Sequence, residues 1–275
     1  MTPTSRSTIL MFSLLALGAV TAAADAVDAD ASTSTTAATD DPAPAPRYPR
    51  AVIARPLTLP SGIAMLGGDA TGNHDLSTMG GTPIVGYGIT DKLEVQVPYG
   101  FTARELEMRG PLDVDVGYAI LRGALGGKLE VIARVRGGYD LLATAARPLL
   151  GGLHAQYNVT DRFAVISGAP GTQQLRISLA DDADGARPVD LGLPLGLGVQ
   201  ATGILYVQLD TKLAQVAISD SETRLFGRDV VPATVTVVCN VLPALDVQAA
   251  VGTDLMNAPG DNVSFLVGAR YYAGE

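Results

Sequence analysis

Tryptophan is missing from the 275-residue chain, and cysteine and histidine are nearly so, with one of the first and two of the second. A lone Cys239 can build neither a disulfide framework nor a thiolate metal site within one chain, and a free cysteine is ordinarily a small buried hydrophobe. His74 and His154 stand far apart in sequence, so a multi-histidine metal centre is not expected, and no cofactor is expected either. Basic residues are also scarce: 19 Lys and Arg against 28 Asp and Glu give a net charge of -9. Nucleic acid is bound through clustered Lys and Arg, and no such cluster occurs, which excludes it as a partner. No P-loop, Rossmann or metal motif is present, and the Gly67-Gly68 and Gly80-Gly81 pairs read as turn and loop residues. After the amino-terminal region no apolar run reaches the roughly 20 residues that a membrane-spanning helix needs.

What is there is apolar. The chain is 47% hydrophobic and only 17% charged, so a large apolar surface must be covered, by a packed core or by lipid. Residues 1–24 carry Arg6, an apolar run from Ile9 to Val20 and the small residues Ala22-Ala23-Ala24, the order of regions in a secretory signal peptide. Cleavage is expected after Ala24 or Ala26. Residues 25–54 are rich in Ala, Thr, Ser, Asp and Pro, with little to bury, and are expected to be a disordered or extended leader. A plug folding back into the rest of the chain would need packing residues that this composition hardly supplies.

Residues 55–275 are read as a single all-β domain. From Lys92 to Phe101, Leu93, Val95, Val97, Tyr99 and Phe101 fall on one face, with Lys92, Glu94, Gln96, Pro98 and Gly100 on the other. Period two is a strand, because successive Cβ atoms point to opposite sides of a sheet. The pattern recurs about twelve times, beginning with a vague first strand near Ser61 to Asp69 and ending with Asn262 to Tyr272. Its clearest instance alternates Val189, Leu191, Leu193, Leu195, Leu197 and Val199 with Asp190, Gly192, Pro194, Gly196, Gly198 and Gln200. Tyr87-Gly-Ile-Thr-Asp-Lys-Leu-Glu-Val repeats as Tyr157-Asn-Val-Thr-Asp-Arg-Phe-Ala-Val and more weakly as Cys239-Asn-Val-Leu-Pro-Ala-Leu-Asp-Val. Each copy is a strand end, a tight turn and a strand start. All three close even-to-odd connections, which places tight turns on one rim and long polar loops on the other.

A soluble sandwich also alternates, so the polar face must decide. It is rich in glycine with sparse charges of both signs, which suits a confined lumen, and strands of about ten residues match a tilted strand crossing a bilayer. Tyr87, Tyr118, Tyr157, Phe163 and Tyr271 lie on the apolar face near the tight turns, with Tyr99, Phe101 and Tyr139 toward the loops. Two such girdles mark the interfaces of a membrane barrel. The expected architecture is a transmembrane antiparallel up-and-down β-barrel of about 12 strands, behind a signal peptide and a disordered leader. On these residues the chain resembles bacterial outer-membrane β-barrel proteins of the porin-like or transporter type. That resemblance implies outer-membrane lipid around the barrel and the barrel-assembly machinery as a partner during insertion. The machinery reads a terminal aromatic residue, and here Tyr271-Tyr272 is followed by Ala273-Gly274-Glu275.

The inner wall is then expected to carry Glu94, Gln96, Asp113, Asp115, Glu130, Arg134, Arg136, His154, Asp190, Asp210, Lys212 and Arg270, with glycines on strands two, six, eight and twelve leaving space. Asp113 and Asp115 face Arg134 and Arg136 as cross-strand or diagonal neighbours. Either they frame a charge-selective constriction or they pair and let nothing pass. The expectation is a narrow porin-like channel for passive passage of small polar solutes or ions, and not an enzyme. The alternatives are a closed structural or adhesive barrel acting through loops such as Gly168–Arg187, with Asp181, Asp182 and Asp184, and Ser219–Arg228, with Glu222, Arg224 and Arg228, or a barrel-borne hydrolase. His154 has no outward serine at a neighbouring register to serve.

Overall fold

The computed structural model describes residues 48–274 except 75, 77–78, 103–109, 142, 169–174, 178–188, 218–230 and 257–261; the side chains of Thr102, Asp190 and residues 175–177 and 213–217 lie outside the description as well. The signal peptide, most of the leader and the acidic loop residues named above fall outside the described residues. Twelve antiparallel staves form a meander: β1 (Ala64–Asn73), β2 (Met79–Thr90), β3 (Leu93–Pro98, continued by Phe101–Thr102), β4 (Pro111–Gly123), β5 (Leu129–Asp140), β6 (Leu149–Thr160), β7 (Phe163–Ser167, continued by Leu175–Ile177), β8 (Val189–Gln200), β9 (Leu205–Ala217), β10 (Pro232–Leu242), β11 (Leu245–Asp254) and β12 (Ser264–Ala273). Each pairs with its sequence neighbours, and β1 pairs with β12 along its whole length, from Ala64 opposite Ala273 to Asn73 opposite Ser264. The sheet is therefore closed, and closure removes the unpaired edges that lipid would not tolerate.

The first strand starts three residues later than the alternation placed it, because Ser61 and Gly62 form a turn with Gly62 in the left-handed region at φ 79°. Gly67-Gly68 and Gly80-Gly81, read as turn and loop residues, lie inside β1 and β2. They pass as punctuation in sequence, yet a strand accepts glycine where a neighbour comes close. On the outer face the rings of Phe265 and Phe101 lie where a methyl at Gly72 or Gly81 would sit.

The hairpin repeat has a chemical cause. Thr90 Oγ1 accepts from the backbone N–H groups of Lys92 (3.2 Å) and Leu93 (3.1 Å), and Thr160 Oγ1 accepts from those of Arg162 (3.2 Å) and Phe163 (3.0 Å). A threonine hydroxyl so placed satisfies the turn's own donors. Thr202 does the same for Ile204 and Leu205 in a hairpin where the sequence shows no repeat. All three repeat copies share an irregularity of register, at Gly88/Thr90, Asn158/Thr160 and Asn240/Leu242. These turns and both ends of the barrel share one rim, and the long connections occupy the other.

Side chains sort by face. Leu66, Val85, Val114, Val135, Leu193, Val251 and Val267 are all large, apolar and exposed. Glu94, Asp113, His154, Gln156, Gln200, Asn240 and Asp246 are buried. A water-soluble protein would invert this arrangement; an apolar belt facing outward around a polar interior needs lipid as its solvent. Tyr87, Tyr118, Tyr157 and Tyr271 are exposed near the tight turns, with Phe163 half-buried beside them, while Tyr139 is exposed and Tyr99 and Phe101 half-buried toward the loops.

Candidate functional site

Strands β3, β4 and β5 bring acids and arginines onto one inner wall. Asp115 lies directly across from Arg136, and Gly117 from Arg134, yet the side chains pair diagonally. Arg134 donates from Nε to Asp115 (3.1 Å) and from Nη1 to Glu94 (2.7 Å). Arg136 donates from Nε to Asp113 Oδ2 (2.9 Å), and Arg147, from the β5–β6 connection, donates to the same oxygen (2.7 Å). The long guanidinium reaches the diagonal neighbour easily, and charge-assisted bonds of this kind are the strong ones. Exposure along the ladder is uneven: the side chains of Arg136 and Arg147 are 27% and 32% exposed, while those of their shared partner Asp113 and of Glu94 are 3% and 2%.

The remaining predicted residues are distributed. Gln96 donates to Glu94 (3.2 Å). Glu130 accepts from Arg122 (3.2 Å) at the tight-turn rim. Arg270 donates to Asp69 (2.6 Å), which also accepts from Gln248 (2.9 Å). Asp210 accepts from Gln208 (2.8 Å), whose side-chain oxygen accepts from the Tyr206 hydroxyl (3.0 Å). Lys212 follows Asp210 on the inner face of β9, half-buried, and Asp190 sits in β8 with its side chain outside the described residues. His154 is buried opposite Ile132, and its Nδ1 has no hydrogen-bond partner among the described residues. Inner glycines on strands two, eight and twelve do not leave space as expected. Neighbouring groups already occupy it: Tyr206 at Gly198, Asp69 at Gly268 and the Pro60 carbonyl at Gly88.

That last contact belongs to an element that the sequence reading weighed only as a plug and set aside. Tyr48 to Ala54, assigned by composition to an extended leader, is packed inside the tight-turn mouth together with the residues up to Pro60. Ile53, in a single 3-10 turn (Val52–Ala54), is 3% exposed and packs on Ala164, Ile166 and Tyr206. Its N–H donates to Gln200 (3.1 Å), and its carbonyl accepts from Gln156 (3.0 Å) and Asn158 (3.3 Å). Arg55 grips Asp246 with both terminal nitrogens, Nη2 to Oδ1 at 2.9 Å, and its guanidinium lies 4.8 Å from the Tyr48 ring and 5.5 Å from that of Tyr272. Burial alone would lower the Arg55 guanidinium, but the hydrogen bonds it donates to Asp246, together with the neighbouring Tyr48 and the Asp246 charge, hold it above its ordinary value. Burial pushes the Tyr48 phenol up to about 12. Arg50 reaches Asn240 (2.7 Å), which donates to Asp246 (2.9 Å). On the other wall Leu59 N–H donates to Glu94 (2.8 Å), and Thr58 bonds the Asp91 carbonyl and Arg122.

No family model matches the chain, and no curated protein does. Solved structures do. The NanC porin aligns over 75% of this chain and 98% of its own at a TM-score of 0.55 and 10% identity. The KdgM porin aligns over 75% and 98% at 0.49 and 9%, and Acinetobacter baumannii Omp33 over 76% and 97% at 0.41 and 12%. The NanC likeness agrees with the closure of β1 on β12 and the outward apolar belt. The chain is a closed transmembrane β-barrel with the fold of that porin. Several interior residues of this barrel were not among the lining residues expected from the sequence: Asp69, Arg147, Gln156, Gln200, Tyr206, Asn240 and Asp246, and the strap residues Arg55 and Ile53. Most were legible as polar-face positions at the tight-turn ends of their strands. Tyr48, Ile53, Leu57 and Leu59 were legible as the first large apolar residues after the Pro-Ala stretch.

Proposed function

We propose that the barrel is a narrow channel for passive passage of small polar solutes or ions. The observation that carries the reading is a pair of wet arginines on the side of the long loops: Arg136, on the inner wall of the closed barrel, and Arg147, in the β5–β6 connection beside it, stay a quarter to a third exposed. Charged groups that keep contact with water within a membrane ordinarily line a path. The porin fold of the NanC neighbour supports the same reading. Its partners are then outer-membrane lipid, the barrel-assembly machinery during insertion, and the solute. The competing reading is a closed barrel acting through its loops, and it draws on the other end of the lumen, where Glu94, Asn240, Gln200 and Asp246 are 0–5% exposed beneath the strap.

Planar-bilayer recording on the refolded protein separates them. Discrete conductance steps are expected; silence from a protein shown to be inserted and folded favours the closed barrel.

A further inference from the structure

The segment from Tyr48 to Pro60 meets opposed walls of the lumen: β3 through Glu94, β6 through Gln156 and Asn158, β8 through Gln200, and β11 through Asp246. Inward-facing Glu94, Gln156, Gln200, Asn240 and Asp246 at this rim are buried and lie against the segment, whereas nearer the loops Arg136 and Arg147 stay partly exposed around a buried Asp113. How it is attached matters as much as where it lies. Among the described residues, no backbone-to-backbone hydrogen bond joins Tyr48–Ser61 to a strand. The first such bonds come after it, where Gly62 N–H donates to the Gly88 carbonyl (2.9 Å) and Gly88 N–H to that of Ile63 (2.9 Å). Before that anchor the chain turns at Pro60, whose carbonyl accepts from Ile63 (3.1 Å), with Gly62 left-handed. Everything upstream is held by side chains, and the central hold is the Arg55–Asp246 pair, both partners buried and backed by Asn240 and the two tyrosine rings.

We propose that Tyr48–Pro60 is a gate on the tight-turn mouth, hinged at Pro60–Ile63 and clasped by Arg55 on Asp246. This inference rests on the channel reading. In the closed position the strap fills the mouth. In the open position Arg55 exchanges Asp246 for water, Ile53 leaves its seat on Ile166 and Tyr206, and the strap swings about its anchor on Gly88 while all twelve staves keep their ladder bonds. A side-chain clasp suits such a device, because it breaks without disturbing the sheet. A buried charge pair also makes the closed position specific, since a misplaced guanidinium in that pocket would lack its counter-charge.

The test uses two full-length variants that act on the strap differently. Asp246→Asn keeps the shape of the clasp and removes its charge. Gly88→Ala leaves the clasp intact and puts a methyl where the Pro60 carbonyl sits. Two readouts are taken on each: the fraction of time open in a planar bilayer, and trypsin cleavage after Arg50, which needs the strap out of the mouth but needs no conduction. The expected result is a rise of about tenfold in open fraction for each variant, equivalent to about 1.4 kcal/mol. Faster cleavage at Arg50 and an unchanged size of the open step should accompany it. Faster cleavage with wild-type open fraction would overturn the gate while leaving the channel standing. If cleavage quickens in proteins that are all electrically silent, the channel reading has failed and the gate with it. Wild-type cleavage and open fraction in both variants, with heat-modifiable folding intact, would also refute the clasp and hinge.

Discussion

Replacing both Arg134 and Arg136 with serine should turn the lumen toward cations, and the size of the change follows from the charge count. Glu94, Asp113 and Asp115 are balanced on that wall by Arg134, Arg136 and Arg147. Taking away two guanidiniums leaves a net of minus two beside the path. For a monovalent ion about 7 Å away in water-like surroundings, each unit charge is worth about 0.6 kcal/mol. Screening over a Debye length of about 10 Å at 0.1 M salt halves this, so the pair contributes about 0.6 kcal/mol. That is close to RT: about threefold enrichment of cations, the same depletion of anions, and a permeability ratio raised about sevenfold. Arg136→Ser alone should give at least half of this free-energy effect, since its side chain is 27% exposed against 14% for Arg134. The assay is the reversal potential across a salt gradient, which belongs to open events and does not depend on how often the mouth is open. A ratio unchanged within about twofold, in channels opening with the usual step, would show that these arginines only satisfy the wall and that solutes do not pass them.

Three further outcomes are expected. Val135→Arg, on the exposed outer face midway along β5, should lower stability in lipid vesicles by about 2–4 kcal/mol in a denaturant titration, whereas an outer face bathed in water would accept the arginine almost freely. Thr160→Val should cost about 1 kcal/mol through the two turn donors it leaves bare, with no change in ion selectivity, read from the same titration. Removing Arg270 alone (Arg270→Met) strands Asp69 and should cost up to about 3–5 kcal/mol. The double change with Asp69→Asn should recover much of that, and a cycle showing simple additivity would mean that the pair does not interact.

The twelve staves were legible because a membrane barrel writes its two solvents into the chain at period two. Val114, Val116 and Tyr118 against Asp113, Asp115 and Gly117 is a local signal, and it needs no knowledge of what pairs with what. The hairpins were legible for a similar reason, since a threonine that bonds its own turn leaves a short repeated string. The strap's apolar residues could be picked out, but its place in the barrel could not. Its packing residues are isolated within a stretch whose composition is otherwise that of a leader, and its partners are remote: Arg50 finds Asn240 and Arg55 finds Asp246 some 190 positions away. Inner-wall glycines misled in the same way. Whether a missing side chain leaves a hole or admits a neighbour is a matter of register, and at Gly88 the neighbour comes from outside the sheet altogether.

These two failures have one consequence for how the barrel works. If the glycines had left space, the width of the lumen would be fixed by the sheet, and a closed ladder of twelve staves has little freedom to change it. Because the space at the tight-turn end is filled by a segment held through side chains, the opening there depends, on the gate proposed above, on something that can leave. On that proposal the rigid part of the molecule provides selectivity through the acid and arginine wall, and the separable part decides access. The two are joined at Glu94, which accepts from Arg134 of the wall and from Leu59 of the strap. A change in the charge of the wall is therefore expected to be felt at the mouth, through a carboxylate that sequence alone placed merely on the lining.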